Sequence, residues 1–405
     1  MVLPRRILYI LQPGGGGAAT SLYDLIAGLD QQRYRPYVLF FEPDYYCDKF
    51  RELGVKVFVL NQRYPLLKRI LFYIETDHVR KRYGKFVWKL YWLAHVGYLL
   101  TRVIALLKWH RITIVHNNDT ILKDRFTILA AKLAGVKQVC HIRSCSDLAS
   151  PFRKKMALSV DAFIYVSKMV EAYYQQEGLP SKQGTVNYEG FNLAAYEQIT
   201  PEQIAAIRSE FGIADKDVLV SNVARIDVWK GQDYFVKAIA QVLQSQFHVR
   251  ALLVGPYASG GDNREQAFVQ FLKQLIQDLN LSDRIIFTGF RADTAAIMSA
   301  SDIVVHASSE PEPFGRVPIE GMLLGRPVVA TAIGGPCETV QDQITGLLVP
   351  PKDPTAMAQA ILQLIHDRDS AESMGKNAQC YARQNFSSNL HVAFVQQIYE
   401  KILSH

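Results

Sequence analysis

The stretch Arg5-Arg6-Ile7-Leu8-Tyr9-Ile10-Leu11-Gln12-Pro13-Gly14-Gly15-Gly16-Gly17, followed by residues 18–29, decides the fold. Ile7 to Leu11 form a continuous apolar run of strand length, Pro13 and four glycines interrupt it, and the apolar residues of 18–29 recur at helical spacing. The reading is strand, glycine loop, helix. Short β-branched runs at 38–41, 55–60, 112–115, 136–141 and 162–166 continue the pattern, separated by turn and helical material, as a parallel sheet requires. Around 188–192 and Thr200-Pro201 the strands give way to polar and turn-forming residues, which marks a linker. A second series follows at 218–220, 249–254, 285–288, 303–306, 327–331 and 346–349, with helical stretches at 232–243 and 264–279. The expectation is an α/β chain of two Rossmann-like, doubly wound domains facing a cleft, with ligands beyond the carboxyl ends of the strands. The boundaries fall at 1–190 and 191–385, with a terminal helix at 386–405.

Composition agrees. The chain has 405 residues, 49% of them hydrophobic and 20% charged, enough apolar material for more than one core and too much for disorder. The longest charge-free apolar stretch of the aromatic region, 90–101, has 12 residues and contains His95, whereas a membrane span needs about 20. The apolar run behind Arg5-Arg6 ends after five residues in Gln-Pro-Gly-Gly, unlike a signal peptide. A cytoplasmic protein is expected. The five cysteines include no Cys-x-x-Cys pair, so neither a disulfide framework nor a thiolate zinc site has support, and Cys140, His141 and Cys145 read as ordinary residues.

The formal charge of +7 is unevenly placed. Residues 63–111 hold eleven Lys/Arg against Glu75 and Asp77, interleaved with ten aromatic side chains including Trp88, Trp92 and Trp109. Such a mixture suits the headgroup level of an anionic bilayer. It equally describes amphipathic helices whose aromatic face is core and whose basic face is solvated. No nucleic-acid motif accompanies it.

Three stretches offer chemistry. Gly15, Gly16 and Gly17 open a helix, where backbone N–H groups can approach a pyrophosphate; a tight turn accounts for them as well. Ser308-Ser309-Glu310-Pro311-Glu312-Pro313-Phe314-Gly315-Arg316-Val317-Pro318-Ile319-Glu320 follows a strand and runs into a helix. Glu312 and Glu320 offer carboxylates suited to sugar or ribose hydroxyls, and the N–H groups of Gly315, Arg316 and Val317 suit phosphate oxygens. Arg225 and Lys230 close a third loop. Two fixed cations stabilise charge growing on a diphosphate leaving group without a metal.

Taken together these residues resemble family 4 of the retaining glycosyltransferases, which have the GT-B fold. The resemblance rests on the Glu-x7-Glu spacing from Glu312 to Glu320, the Arg-x4-Lys pair, the first glycine loop, Gly325-Arg-Pro-Val-Val-Ala-Thr331, Gly334-Gly335 and Thr345-Gly-Leu-Leu-Val-Pro350. It implies that Arg225 and Lys230 bind the donor diphosphate, Glu312 the transferred sugar, Phe314, Gly315, Arg316 and Val317 the sugar and phosphates through backbone groups, and Glu320 the ribose. Arg291 falls beside the base in this reading, and the last helix returns to the first domain. The family's usual His-x-His is replaced by His116-Asn117-Asn118-Asp119, so Asn118 stands at the second histidine's place. His116 ranks first as its substitute, ahead of Asp119 or His141-Ile142-Arg143; a satisfied strand-end histidine is the other reading.

The expected activity is transfer of a hexose from a UDP- or GDP-sugar, with no cofactor or metal, to a glycan or lipid-linked acceptor of polysaccharide or glycolipid assembly. Residues 63–111 would hold the protein peripherally on the inner face of the plasma membrane, with no nucleic-acid partner. The alternatives are a sugar-nucleotide epimerase or phosphorylase of the same fold, an NAD-binding oxidoreductase, and a non-catalytic surface-binding protein.

Overall fold

The computed structural model describes residues 4–12, 16–60, 77–256 and 263–404. The chain divides into two compact units, Met1–Gly190 with His391–His405, and Phe191–Leu390. In the first unit β1 (Arg5–Leu11), β2 (Tyr34–Phe40), β3 (Lys56–Val59), β4 (Ile114–Asn117), β5 (Lys137–Ile142), β6 (Ala162–Tyr165) and β7 (Gly184–Val186) form one parallel sheet in the order β3-β2-β1-β4-β5-β6-β7.

The apolar run in β1 has a direct cause. Ile7, Tyr9 and Leu11 pack with the helix Gly16–Ala27 and the carboxyl-terminal helix Ser388–Leu403, while Leu8 and Ile10 face Val103 and Leu107 of the helix Asp77–Trp109. Successive side chains of a strand point to opposite faces, so a strand covered on both faces must be apolar at every position. β7 was not expected from the sequence, because its three residues are half-buried and open with Gly184. That glycine is needed for packing: a Cβ there would lie 2.3 Å from Cε2 of Tyr165.

In the second unit β8 (Val218–Val223), β9 (Val249–Val254), β10 (Ile285–Gly289), β11 (Ile303–His306), β12 (Val328–Thr331) and β13 (Leu347–Val349) form a parallel sheet in the order β10-β9-β8-β11-β12-β13. Its order reverses beside β8 and β11. Crevices at such reversals are where doubly wound sheets take ligands.

The helix Asp77–Trp109 buries Leu99, Val103 and Leu107, spaced four apart along one stripe, and leaves Trp92, Leu93 and Trp109 exposed. Among the described residues no helix is long and apolar enough to cross a membrane. Residues 61–76 of the basic, aromatic segment, and the side chains of 77–91, lie outside the described residues.

Candidate functional site

Three neighbouring strands of the second unit, β8, β11 and β12, deliver their carboxyl-terminal loops to one place. The register sets Val305 beside Asn222 and His306 beside Ala330, so the three loops leave the sheet side by side. The loop after β8 carries Arg225 and Lys230. The loop after β11 carries Ser308 and Glu312, and it is tied to the first by Ser309 N–H donating to the Trp229 carbonyl at 2.8 Å. The loop after β12 brings Gly334 and Gly335, and Gly335 N–H donates to the Glu312 carbonyl at 2.7 Å.

At the centre is the Glu312 carboxylate. Lys230 Nζ donates to both its oxygens at 2.7 Å, Ser308 Oγ to Oε2 at 2.8 Å, and His306 Nε2 lies 3.1 Å from Oε2. Burial by itself raises this carboxyl, but the hydrogen bond from His306 and the charge of Lys230 outweigh it and hold the group well below the usual carboxylate range. The site therefore contains a fixed, largely buried anion beside a fixed cation. Lys230 also stands 4.0 Å above the Trp229 ring, which restricts its stem.

Arg225 is half-exposed and ion-paired with Asp227 Oδ2 at 2.8 Å; the same oxygen accepts from Trp229 Nε1 at 2.9 Å. Asp227 thus fixes one residue of the cation pair and the platform under the other. Nothing in the sequence assigns a role to Asp227, Trp229, His306, Ser308 and Thr331; the one available signal is their position inside, or two residues before, stretches that carry the motifs.

Gly315 caps the helix Arg316–Leu323 with φ of 82°. The first N–H groups of that helix have no acceptor within it and point out of its amino-terminal end, to which Arg316 and Val317 belong. Phe314 is buried and meets the ring of Phe386. Glu320 is paired with Arg316 at 3.4 Å, and the Arg316 guanidinium lies 4.2 Å from the Phe191 ring centroid. Arg291 belongs to a different cluster, clamped between Glu210 and Asp293, whose hydrogen bonds push its guanidinium up, Asp293 first.

In the first unit, Gly16 and Gly17 begin the helix Gly16–Ala27, and Gly15 lies outside the described residues. His116 is fully buried at the end of β4. Its Nδ1 lies 2.6 Å from the Tyr399 hydroxyl, which donates to Tyr9 at 3.0 Å, and burial holds the imidazole well below its ordinary pKa. Asn118 is held at both ends: its Oδ1 accepts from Arg143 Nε and Nη2 at 3.0 and 2.8 Å, and its Nδ2 donates to the Ala18 carbonyl at 3.2 Å. Arg143 further bonds Ser21 at 3.0 Å and is ion-paired, out of solvent, with Glu189. Asp119 pairs with Lys123 at 2.6 Å. Among the described residues no group of three or more His, Cys, Asp or Glu could hold a metal ion.

Two doubly wound parallel-sheet units, one carrying an acid and a base at its strand ends, define an α/β protein of the GT-B type. Residues 203–380 match the family model described as glycosyl transferases group 1 and residues 15–195 the model described as glycosyltransferase family 4; the chain belongs to family 4 of the glycosyltransferases. HepE of Anabaena, solved with UDP, with UDP and glucose, and with UDP-glucose, is 27% identical with a TM-score of 0.78, over 99% of this chain and 100% of that one. D-inositol 3-phosphate glycosyltransferase of Nocardia farcinica is 30% identical over 297 residues, 72% of this chain and 61% of that protein. N-acetyl-alpha-D-glucosaminyl L-malate synthase of Bacillus anthracis is 29% identical over 197 residues, 49% of each. The matched stretches thus span about half to three fifths of these two curated relatives' lengths.

Proposed function

We propose that the protein is a retaining glycosyltransferase that moves a hexose from a UDP- or GDP-sugar to a membrane-associated or lipid-linked acceptor in polysaccharide or glycolipid assembly. The observation that carries the donor half is the Lys230–Glu312 pair at the β8–β11–β12 strand ends, where one group suits a diphosphate and the other a sugar hydroxyl. UDP is the first candidate, because HepE was solved with UDP-glucose.

In this reaction the bond from the anomeric carbon to the diphosphate oxygen breaks and a bond to the acceptor oxygen forms on the same face. The acceptor's proton passes to the departing phosphate. Arg225, Lys230 and the amino end of the helix Arg316–Leu323 stabilise the negative charge that develops, so no metal or other cofactor is required. Glu312 orients the sugar and Glu320 the ribose, while the first unit supplies the acceptor side. Turnover that persists undiminished in a chelator supports the metal-free reading, and loss restored by a divalent cation overturns it.

Thermal unfolding with UDP, GDP, ADP, their sugar conjugates and NAD tests the donor. A ligand that binds only the folded state at a hundred times its Kd adds about 2.7 kcal/mol of stability. Stabilisation by one nucleoside diphosphate, lost in Lys230→Ala, supports the proposal, as does loss of turnover in Glu312→Ala with the fold intact; stabilisation by NAD alone refutes it. Exposed Trp92, Leu93 and Trp109, together with the basic charge of 63–111, support contact with an anionic bilayer. Neutralising Lys81, Arg82, Lys85 and Lys89 is expected to release the protein from vesicles containing phosphatidylserine or phosphatidylglycerol; unchanged sedimentation makes the segment a solvated face.

A further inference from the structure

The two oxygens of Glu312 keep different company. Among the described residues Oε1 accepts from Lys230 alone, whereas Oε2 accepts from Lys230, from Ser308 Oγ at 2.8 Å and from His306 Nε2 at 3.1 Å. His306 is the last residue of β11, with a side chain 6% exposed. On the far side of its ring, Nδ1 lies 3.4 Å from Oγ1 of Thr331, the last residue of β12, and that hydroxyl is already committed as a donor to the Ser308 carbonyl at 2.8 Å. Ser308 Oγ, spending its proton on Glu312, turns a lone pair toward His306 Nε2 at 3.1 Å. The hydrogens thus run one way: Thr331 to the Ser308 backbone, Ser308 and His306 to Glu312. Each donor stands on or directly after a strand end, a rigid support of the kind a precise site needs.

We propose that His306, seated on Thr331 and assisted by Ser308, is a positioning residue for Glu312. It fixes Oε2 so that, when a donor diphosphate draws Lys230 away, the carboxylate stays in place and Oε1 is released toward the sugar. Without it Glu312 would lose its orientation at the moment its lysine partner leaves. The inference rests on the reading of Glu312 as the group that orients the transferred sugar.

The test uses the full chain and the nucleotide sugar that stabilises it, with release of the nucleoside diphosphate as the assay. His306→Ala is expected to lower kcat about a hundredfold, the order of loss that follows a misplaced catalytic group, while the affinity for UDP or GDP, which lacks the sugar that Glu312 orients, changes much less. His306→Gln, which restores an N–H near the position of Nε2, recovers part of kcat; Ser308→Ala and Thr331→Val lower kcat less than His306→Ala and serve if that variant fails to fold. Wild-type kcat in His306→Ala, with Glu312→Ala inactive, overturns this inference alone; wild-type turnover in Glu312→Ala overturns the donor-site reading beneath it. A second measurement needs no activity. In ligand-free protein the Nε2 nitrogen resonance of His306 is expected to move on Glu312→Gln, and an unmoved resonance refutes the contact.

Discussion

Gly231 takes φ of 68°, and a Cβ built there would lie 2.0 Å from the Ala307 carbonyl oxygen, between the loops that carry Lys230 and Glu312. Gly212 has nearly the same φ of 63° with open space around it. The pair separates backbone strain from contact. Gly212→Ala is expected to cost about 1–2 kcal/mol, the ordinary left-handed penalty, and to leave nucleotide binding alone. Gly231→Ala carries the same penalty and must also push apart the two loops, so it should unfold at a lower temperature than Gly212→Ala and bind UDP or GDP more weakly; equal behaviour of the two variants would refute the close approach. The sequence made Arg225, Lys230 and Glu312 legible because each sits in a loop directly after an apolar run. It hid His306 and Thr331, whose meaning comes from β11 and β12 lying side by side, and it ranked His116 for chemistry without sight of Tyr399, its hydrogen-bond partner 283 residues away. Burial keeps His116 and His141 neutral, each far below the ordinary histidine pKa. Neutral burial contributes stability that is present above the unfolded value of about 6.5 and is lost as pH falls below it. His141→Gln should therefore weaken the dependence of unfolding on pH between about 7 and 5 relative to wild type, as followed by denaturant titration.

The helix Arg125–Ala134 shows the same coupling in the opposite direction. The residue before it, Asp124, does not cap it with its side chain; its carboxyl is buried and accepts from Gln12 Nε2 at 2.8 Å and from Asp119 N–H at 3.1 Å. Burial raises this carboxyl to about 8, against the pull of those hydrogen bonds. A raised carboxyl holds its proton in the folded state after the unfolded chain has released it, so stability falls as pH rises from about 4 toward 8. Asp124→Asn removes the titration, and its advantage over wild type in denaturant titrations should be small near pH 4 and grow up to pH 8; an advantage independent of pH would show that Asp124 is ionised in the fold. At this scale the strands were the legible part, because a parallel sheet covered on both faces writes each strand as an apolar run. β7 escaped, being short, half-buried and opened by a glycine. The helix Asp77–Trp109 was legible only as a mixture, since the stripe that packs on β1 and β2 and the aromatic residues left outside share one segment.

The carboxyl-terminal helix Ser388–Leu403 begins in the second unit and from His391 onward belongs to the first. Val392, Val395, Ile398, Tyr399 and Ile402 join the cluster of β1, β2 and the helix Gly16–Ala27, and the helix runs so close that a Cβ on Gly28 would lie 2.9 Å from Val392 Cγ2. The first unit therefore completes its core with residues that follow the second unit in the chain. Five such side chains at about 1.5–3 kcal/mol each reach the whole stability of a typical domain, about 5–15 kcal/mol. Deleting residues 391–405 also removes the Tyr399 hydroxyl from His116 and the His391 contacts with Asn187 and Tyr188. A chain ending at Leu390 is expected to lose the cooperative unfolding of its first unit, with rapid amide exchange in β1 and β4. The second unit keeps Arg225, Lys230, Glu312, Glu320 and the amino end of the helix Arg316–Leu323, and should still be stabilised by UDP or GDP while turnover disappears. Native exchange protection of β1 in the truncated chain would mean that the first unit is stable without this helix, whereas loss of nucleotide stabilisation would mean that the donor site draws on residues beyond the second unit.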